Sequence, residues 1–358
     1  MAVMTRQSQT IRYLTAADGT RLAWASSGTG ASIVKASNWI THLEYDWESP
    51  VWSHWIDFFS AHFRLVRYDE RGNGLSQHDV ADVSSRNWLR DLESVVETAK
   101  PQRPFVLLGI SQGSLAAIEY AVKHPEHVSQ LVLYGGYARG WALRDDPEEV
   151  RRLKAIVELT ELGWGSADPV FRRLYTSRFL PDGTEEQLHW FDELCARTAS
   201  PKMAARLIVS RGHGDVRHLL SSVAVPTLVA HAVNDQAVPF FEGQELAAEI
   251  PGAQFLQLDS SNHILLSHEP AWARLQQAVV DFTGVESQAE AAVFALLSPR
   301  ERDILGRLLE GMTNVDIGKA LFISEKTVRN HITKIYEKLG VKSRSQAIVL
   351  ARDQGFSG

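Results

Sequence analysis

Short apolar runs alternate with amphipathic segments along most of the chain. The first two runs show the period of two that strands have, with Asp18-Gly19 between them as a hairpin turn. Amphipathic helices are predicted between the later runs, and strands that alternate with helices form a doubly wound, mostly parallel α/β sheet. The predicted strands are 11–15, 20–25, 32–36, 63–68, 105–108, 130–136, 226–233 and 254–258.

The alternation stops between about residues 137 and 222. This stretch predicts several helices, contains Trp141, Trp164 and Trp190, and has no convincing strand. Such an insertion is expected to form a cap over the sheet edge from which ligand-binding loops emerge.

A different pattern follows residue 284. Residues 285–297 have little pattern and predict a linker, and the rest predicts a small all-α domain of four helices, which begin near 299, 315, 325 and 345. We therefore expect an α/β domain at 1–284, with its cap at 137–222, and a helical domain at 298–358.

Charge is unevenly distributed between these two parts. The net charge is −6, but residues 298–358 contain 11 Lys and Arg against 7 Asp and Glu, and the rest contains 26 against 36. An acidic body with a basic end predicts that only the end meets nucleic acid. All ten tryptophans precede residue 273, so the large core and any ligand pocket are expected in the first domain.

Composition argues against several classes of protein. Met1–Thr10 lacks the apolar core of a signal peptide, and no apolar stretch approaches the ~20 residues of a membrane span. The single cysteine, Cys195, fits a reducing cytoplasm and is predicted to be a packed apolar residue. No Cys/His cluster has metal-ligand spacing, so we expect neither a metal nor a cofactor.

Candidate chemistry is centred on Gly109-Ile110-Ser111-Gln112-Gly113, which lies between an apolar strand and a run of helix formers. In this context a serine is held in a strained, exposed position at the top of a parallel sheet. The glycines lack the Cβ atoms that would clash in so tight a turn. The alternative is an ordinary strand-to-helix turn.

Two residues have the positions that partners of this serine need. Asp235 follows one predicted strand and His263 follows the next. Ligands of open α/β sheets collect at the carboxyl ends of the strands, so the three side chains are expected to meet there. His263 would take the proton of Ser111, and Asp235 would fix the histidine tautomer. Taken singly, the aspartate could be a turn residue and the histidine a surface residue.

Residues from about 11 to 284 resemble the α/β-hydrolase superfamily through these residues in the order Ser, Asp, His. Two further stretches carry the resemblance, Asp69-Glu70-Arg71-Gly72-Asn73-Gly74-Leu75-Ser76 and Asn234-Asp235 before Val238-Pro239. The superfamily often has His-Gly after its third strand, whereas this chain has Ala36-Ser37-Asn38-Trp39. The resemblance implies an oxyanion hole made by the N–H of Gln112 and a first donor at Asn38 or Trp39.

Residues 298–354 resemble the LuxR-type helix-turn-helix, a four-helix DNA-binding domain. The resemblance is carried by 297–305, 311–321 and 324–341. From residue 325 the apolar positions Val328, Ile332, Ile335 and Leu339 have helical spacing and are expected to face the core. Arginine and asparagine on the opposite face can read base edges, and lysine and threonine suit phosphates. The expected DNA-binding residues are Thr313, Asn314, Lys326, Thr327, Arg329, Asn330, Thr333 and Lys334.

The combination predicts a cytoplasmic, ligand-responsive transcriptional regulator. We expect its first domain to sense a small apolar ester or lactone-like molecule, with tryptophans at 39–55 and in the cap as apolar walls. The family resemblance implies that the last helix pairs two protomers on a two-fold DNA site. The alternative is an active serine hydrolase whose turnover is coupled to DNA binding or attenuates it. A third reading is a constitutive DNA-binding protein with a vestigial sensor.

Overall fold

Six parallel strands form the centre of the first part of the chain. The computed structural model describes residues 8–166, 168, 170–285, 294, 296–353 and 356. Their sheet has the order β1-β2-β4-β3-β5-β6-β7-β8, in which β1 and β2 pair antiparallel and β3 to β8 run parallel. The strands are β1 (Thr10–Thr15), β2 (Arg21–Ser27), β3 (Ser32–Ala36), β4 (Arg64–Tyr68), β5 (Phe105–Ile110), β6 (Val128–Tyr134), β7 (Thr227–Ala232) and β8 (Gln254–Leu258).

The doubly wound fold predicted from the alternating pattern is confirmed. Every residue of β5 and of β7 is buried, which requires helices on both faces of the sheet. The helices of this part, outside the cap, are α1 (Ser53–His62), α2 (Ser85–Ala99), α3 (Gly113–Lys123), α8 (Phe240–Glu249) and α9 (Pro270–Thr283).

The sequence predicts a helix at 51–59, but α1 begins at Ser53, because the hydroxyl of Ser49 accepts hydrogen bonds from the N–H groups of Val51 and Trp52 and holds them in a turn. The sequence also predicts that Ser84 or Ser85 caps the helix that runs to about residue 99. Helix α2 begins after Ser84, whose side chain makes no capping hydrogen bond.

The insertion between β6 and β7 is helical, as predicted. It contains α4 (Pro147–Gly163), α5 (Val170–Thr176), α6 (Glu185–Thr198) and α7 (Pro201–Gly212). Its two ends meet in an isolated bridge between Arg139 and Asp215. Gly140 lies so close to α7 that a Cβ there would stand 2.1 Å from the carbonyl oxygen of Arg211. The base of the cap is therefore fixed by backbone contacts.

The helices of the C-terminal part are α10 (Pro299–Leu309), α11 (Asn314–Leu321), α12 (Glu325–Leu339) and α13 (Arg344–Asp353). Ser298 and Ser324 cap α10 and α12, as their positions before the two helices predict, and Glu301 completes a capping box with Ser298. The four apolar positions of α12 are confirmed in the core of this part. That core also contains Phe294, Leu297, Ile304, Leu305, Leu308, Ile317, Leu321 and Ala351.

The chain divides into two compact units, Met1–Gly284 and Val285–Gly358. Of the predicted linker at 285–297, residues 286–293 and 295 lie outside the described residues.

Cys195 is completely buried, which confirms the predicted packing role. Within the described ranges, no helix combines the length and the apolar composition that crossing a bilayer demands.

A buried ion pair joins three segments of the first unit. The Nε and Nη2 atoms of Arg71 donate to the two carboxylate oxygens of Asp91 at 2.7 and 2.6 Å, and Nη1 donates to Asp18 at 2.7 Å. Arg71 and Asp91 are each 1% exposed. The arginine thereby connects the loop after β4 to α2 and to the hairpin turn between β1 and β2.

Arg71→Ala is expected to destabilise the first unit by about 3–5 kcal/mol, because the carboxylate of Asp91 would stay buried without its partner. Urea unfolding followed by tryptophan fluorescence measures this change, and all ten tryptophans belong to the first unit. The control is Arg217→Ala, since the Arg217–Asp215 pair is partly exposed and should contribute only about 0–1 kcal/mol. Equal losses in the two variants would contradict the assigned role.

Candidate functional site

The turn that carries Ser111 is strained and tightly packed. Ser111 has a φ of 51°, in the left-handed region that side chains other than glycine rarely adopt. Its N–H donates to the carbonyl of Tyr134, at the end of β6, at 2.9 Å. A Cβ at Gly109 would lie 2.8 Å from Cα of Ser114, and one at Gly113 would lie 2.9 Å from the carbonyl oxygen of Ala36. Both glycines are needed because α3 approaches β3 and β5 so closely.

Asp235 and His263 form a buried pair. The Nδ1 atom of His263 lies 2.6 Å from Oδ2 of Asp235, and the other carboxylate oxygen accepts the N–H groups of Ala237 and Val238. Burial opposes ionisation of Asp235, but the charge and hydrogen bond of His263 outweigh it and lower the pKa of the carboxyl. The arrangement favours the tautomer with hydrogen on Nδ1. Nε2, which is buried and makes no hydrogen bond within the described residues, is then free to accept a proton.

Gly135 lies between the strand of the serine and the strand of the histidine. It follows β6, which separates β5 from β7 and β8 in the sheet, and its φ is 55°. A Cβ at this position would stand 3.0 Å from Cε1 and 3.2 Å from Nδ1 of His263. The absent side chain thus makes room for the imidazole beside the backbone that holds Ser111. Gly135 has no signal in the sequence, because its spacing matches no motif.

The backbone groups expected to form an oxyanion hole are available. The N–H groups of Gln112, Asn38 and Trp39 make no hydrogen bond within the described part of the chain. The side chain of Asn38 is used locally: its oxygen accepts from Lys35 and its nitrogen donates to the carbonyl of Trp39. The side chain therefore holds the loop and leaves any oxyanion contact to the backbone.

Ser111 opens into a small cavity of about 60 Å³ beneath the cap. Of the tryptophans at 39–55, Trp39 lines it, whereas Trp52 and Trp55 pack in a separate apolar region against Ile56. The other lining residues include three arginines that the sequence analysis missed. The full lining is Trp39, Ser111, Tyr137, Trp141, Arg144, Leu153, Tyr175, Arg178, Phe179, Ile208, Arg211, Ala237 and Val238.

Arg211 connects the cap to the turn at residues 109–113 that carries Ser111, which we call the elbow. It is 6% exposed, its Nε donates to the side-chain oxygen of Gln112 at 2.8 Å, and its Nη2 lies 3.3 Å from Glu70. The guanidinium stacks 3.9 Å from the ring centre of Trp39. No periodic pattern in α7 distinguishes this arginine from its neighbours, so only the tertiary structure reveals it.

Helix α12 presents the expected polar face to solvent. Lys326, Arg329, Asn330, Thr333 and Lys334 are exposed, and Arg329 is held by Glu325 at 2.6 Å.

The three remaining candidates for DNA contact are partly used inside the second unit. The hydroxyl of Thr313 caps α11 and that of Thr327 bonds to Ser324, whereas Asn314 is half-buried. The turn between α11 and α12 needs Gly318, because a Cβ there would stand 2.8 Å from the carbonyl oxygen of Ile323. This close turn gives the two helices a helix–turn–helix arrangement.

One group of described side chains could place three ligand atoms within 4.8 Å of one another, namely His124, Glu126 and His127. His124 already lies 2.7 Å from Glu93, and His127 lies 2.9 Å from the hydroxyl of Tyr120. The group lies between α3 and β6, at the opposite end of α3 from Ser111.

Comparison with known proteins finds relatives of both units. A model of the family described as serine aminopeptidase, S33, matches residues 53–270, and one described as bacterial regulatory proteins, luxR family, matches residues 295–351. A putative carbamate hydrolase, RutD, of Azorhizobium caulinodans is 26% identical over 219 residues, which cover 61% of this chain and 81% of that protein. The spore germination protein GerE of Bacillus subtilis is 56% identical over 54 residues, which cover 15% of this chain and 73% of that protein.

Solved structures agree on the fold of the first unit. An esterase from Exiguobacterium antarcticum superposes with a TM-score of 0.64 at 22% identity, covering 76% of this chain and 98% of that one. An enol-lactonase from Burkholderia xenovorans superposes with a TM-score of 0.55 at 24% identity, covering 76% of this chain and 100% of that one. At these identities the likeness establishes the α/β-hydrolase fold. The activity of the first unit has to be argued from the residues of its site.

Gly135→Ala is expected to displace His263 from Asp235, because the new methyl group would press on the imidazole. The proton on Nδ1, held in a short hydrogen bond, should give a far-downfield proton NMR signal in the native protein that Asp235→Asn abolishes. The variant should weaken or lose that signal. The control is Gly252→Ala, which has a similar φ of 69° but nothing within 4 Å of the new Cβ. If Gly135→Ala keeps the signal as fully as the control, Gly135 does not position the histidine.

The sheet, the elbow and the Asp235–His263 pair agree with the first family model, and the capped helices of the second unit agree with the second. The first model covers more than half of the chain, and the GerE relative matches most of its own length. The chain therefore belongs to the serine aminopeptidase S33 family of the α/β-hydrolase fold and, through its second unit, to the LuxR family of bacterial regulatory proteins, as a DNA-binding transcriptional regulator with a hydrolase-like domain.

Proposed function

We propose that this regulator is ligand-responsive: a small ester or lactone-like molecule binds beside Ser111 and changes the affinity of the second unit for DNA. The observation that carries this proposal is the contact of Arg211 with Gln112 and Glu70, which joins the cap to the elbow at the wall of the cavity. A ligand at Ser111 lies against both partners of this contact. It can therefore favour one cap position over another, which is what a change in affinity elsewhere requires.

The size of the cavity supports a moving cap. A volume of about 60 Å³ is small beside the ~300–1,000 Å³ of typical ligand pockets. An ester or lactone enters only if the cap shifts, and α7 then has to alter its contacts with the elbow. The binding of a ligand and the position of the cap are thereby coupled.

The DNA side of the proposal rests on α12. Arg329 and Asn330 are assigned to base edges, and Lys326, Thr333 and Lys334 to phosphates. We further propose that α13 pairs two protomers on a two-fold operator. A regulator of this kind works where the chromosome lies, which places it in the bacterial cytoplasm.

An active serine hydrolase is the second candidate, favoured by the free Nε2 of His263 opposite its bond to Asp235. In this reaction Oγ of Ser111 bonds to the ester carbonyl carbon while its proton passes to Nε2. The alcohol then leaves with that proton, and water releases the acid from the acyl-serine. The backbone N–H groups of Gln112 and of Asn38 or Trp39 would stabilise the oxyanion.

DNA recognition is tested with a duplex selected by the native protein from a random library and a scrambled duplex of equal length. Arg329→Ala should weaken binding to the selected duplex by about 1–3 kcal/mol and relax base preference, whereas Lys334→Ala should weaken both duplexes about equally. Mobility-shift titrations measure both effects.

Glu325→Ala is the matched control for Arg329, because it removes the carboxylate that holds the arginine and leaves the arginine itself. Base preference should survive in this variant. The assignment of α12 fails if Arg329→Ala binds both duplexes as the native protein does.

Occupation of the cavity is tested with a fluorophosphonate, which bonds covalently to an activated serine. The native protein should be labelled and should hydrolyse p-nitrophenyl acetate, and Ser111→Ala should do neither. After labelling, the affinity for the selected duplex should change, whereas treated Ser111→Ala should keep its untreated affinity.

Each part of this result bears on a different candidate. Labelling without any change in DNA affinity would contradict ligand response and leave the hydrolase standing. A native protein that neither labels nor turns over would exclude the hydrolase, and ligand response would then depend on the binding experiment described below.

A further inference from the structure

The cavity at Ser111 contains arginines whose charges are compensated to different degrees. The charge of Arg144 is compensated by two carboxylates: its Nη1 donates to Glu149 at 2.7 Å, and its Nε lies 2.9 Å from Glu242 without forming a hydrogen bond. Its guanidinium also lies 5.6 Å from the ring centre of Tyr137. Buried ions are normally paired in this way, so Arg144 has little left to offer a ligand.

Arg211 is engaged on two of its three nitrogens. Nε bonds to Gln112 and Nη2 pairs with Glu70, but Nη1 is buried and makes no hydrogen bond within the described residues. Stacking on Trp39 holds the plane of the guanidinium in place. A buried donor without an acceptor is costly unless a ligand supplies one.

Arg178 has no carboxylate within 4.0 Å among the described residues. Its Nε and Nη2 both donate to the carbonyl oxygen of Gln236, at 3.2 and 3.0 Å. Burial lowers the pKa of the guanidinium, and the opposing influences of Tyr175, Glu149 and Asp235 do not offset it. The charge is thus partly removed from water with a neutral partner only.

Arg178 also lies at the way into the cavity. Together with Leu153 it lines a second, larger cleft of about 490 Å³, which lies between α4 and the loop before α8. The two side chains therefore separate this cleft from the chamber at Ser111. A ligand that passes from the cleft to the serine passes the uncompensated arginine.

We propose that the ligand is an organic acid that contains an ester or lactone group: its carboxylate pairs with Arg178 and with Nη1 of Arg211, and its carbonyl group faces Ser111. This inference rests on the proposed function, since it names the ligand class of the same cavity. A carboxylate suits the site because its two oxygens match the planar donor edge of a guanidinium. Burial raises the pKa of Tyr175 to about 12, so this lining hydroxyl stays protonated and adds a further donor.

The test compares two esters of similar size and opposite charge state. Monomethyl glutarate is an anion near neutral pH, and dimethyl glutarate is neutral. Binding of each to the native full-length chain is followed by tryptophan fluorescence, because Trp39 and Trp141 line the cavity. The monoester should bind about 10- to 100-fold more tightly, the range expected for a charge-assisted hydrogen bond.

Variants of Arg178 then locate the preference. Arg178→Met should reduce the ratio of the two affinities to near one, and Arg178→Lys should keep part of it, because the charge remains but the fork is lost. Arg151→Met is the matched control, since Arg151 is exposed on α4 and does not line the cavity. That variant changes the net charge by the same amount and should keep the native ratio.

The outcomes separate this inference from the function on which it rests. Equal or tighter binding of the diester overturns the carboxylate pairing and leaves a ligand-responsive regulator of neutral esters. Binding of neither ester counts against both. A preference for the monoester that Arg178→Met leaves unchanged would overturn the assignment of the carboxylate to Arg178.

Discussion

The close approach of α3 to the parallel strands β3 and β5 is the contact on which the candidate site depends. It requires glycine at 109 and 113. Ser111, midway between them, has a left-handed conformation that costs about 1–3 kcal/mol. The surrounding sheet supports this strain, because the N–H of Ser111 is bound to the end of β6. The backbone of Ser111 is thereby fixed to the strand end that leads into Gly135, and Gly135 makes room for the imidazole of His263.

The cap adds a second level of organisation. Its helices cover the site, and its base is fixed by backbone contacts near Gly140. Arg211 reaches from α7 to the residue that follows the serine, so the position of the cap and the geometry of the elbow depend on each other. In an enzyme such a contact would adjust the reactivity of the serine. In a regulator it would let a ligand in the cavity change the position of the cap.

The second unit has its own core and its own capped helices. Val328 and Ile335 of α12 are completely buried, and the charged residues of the same helix are exposed. The polar face that we propose for DNA contact is thus produced by the same helical period that builds the core. The ion pair of Arg329 with Glu325 is exposed, so exchanging it for a base edge costs little.

Much of this protein follows from local sequence. The parallel sheet, the elbow and the four C-terminal helices each depend on short-range periodicity, on glycine at a tight turn or on a capping residue, so the sequence predicts all three. Asp235 and His263 were expected near the serine because strand ends meet at one edge of such a sheet, and the structure pairs them with each other. The roles of Gly135, Arg178 and Arg211 could not be predicted in this way. They depend on contacts between segments far apart in the chain, and no local pattern records which arginine of the cap lacks a carboxylate partner.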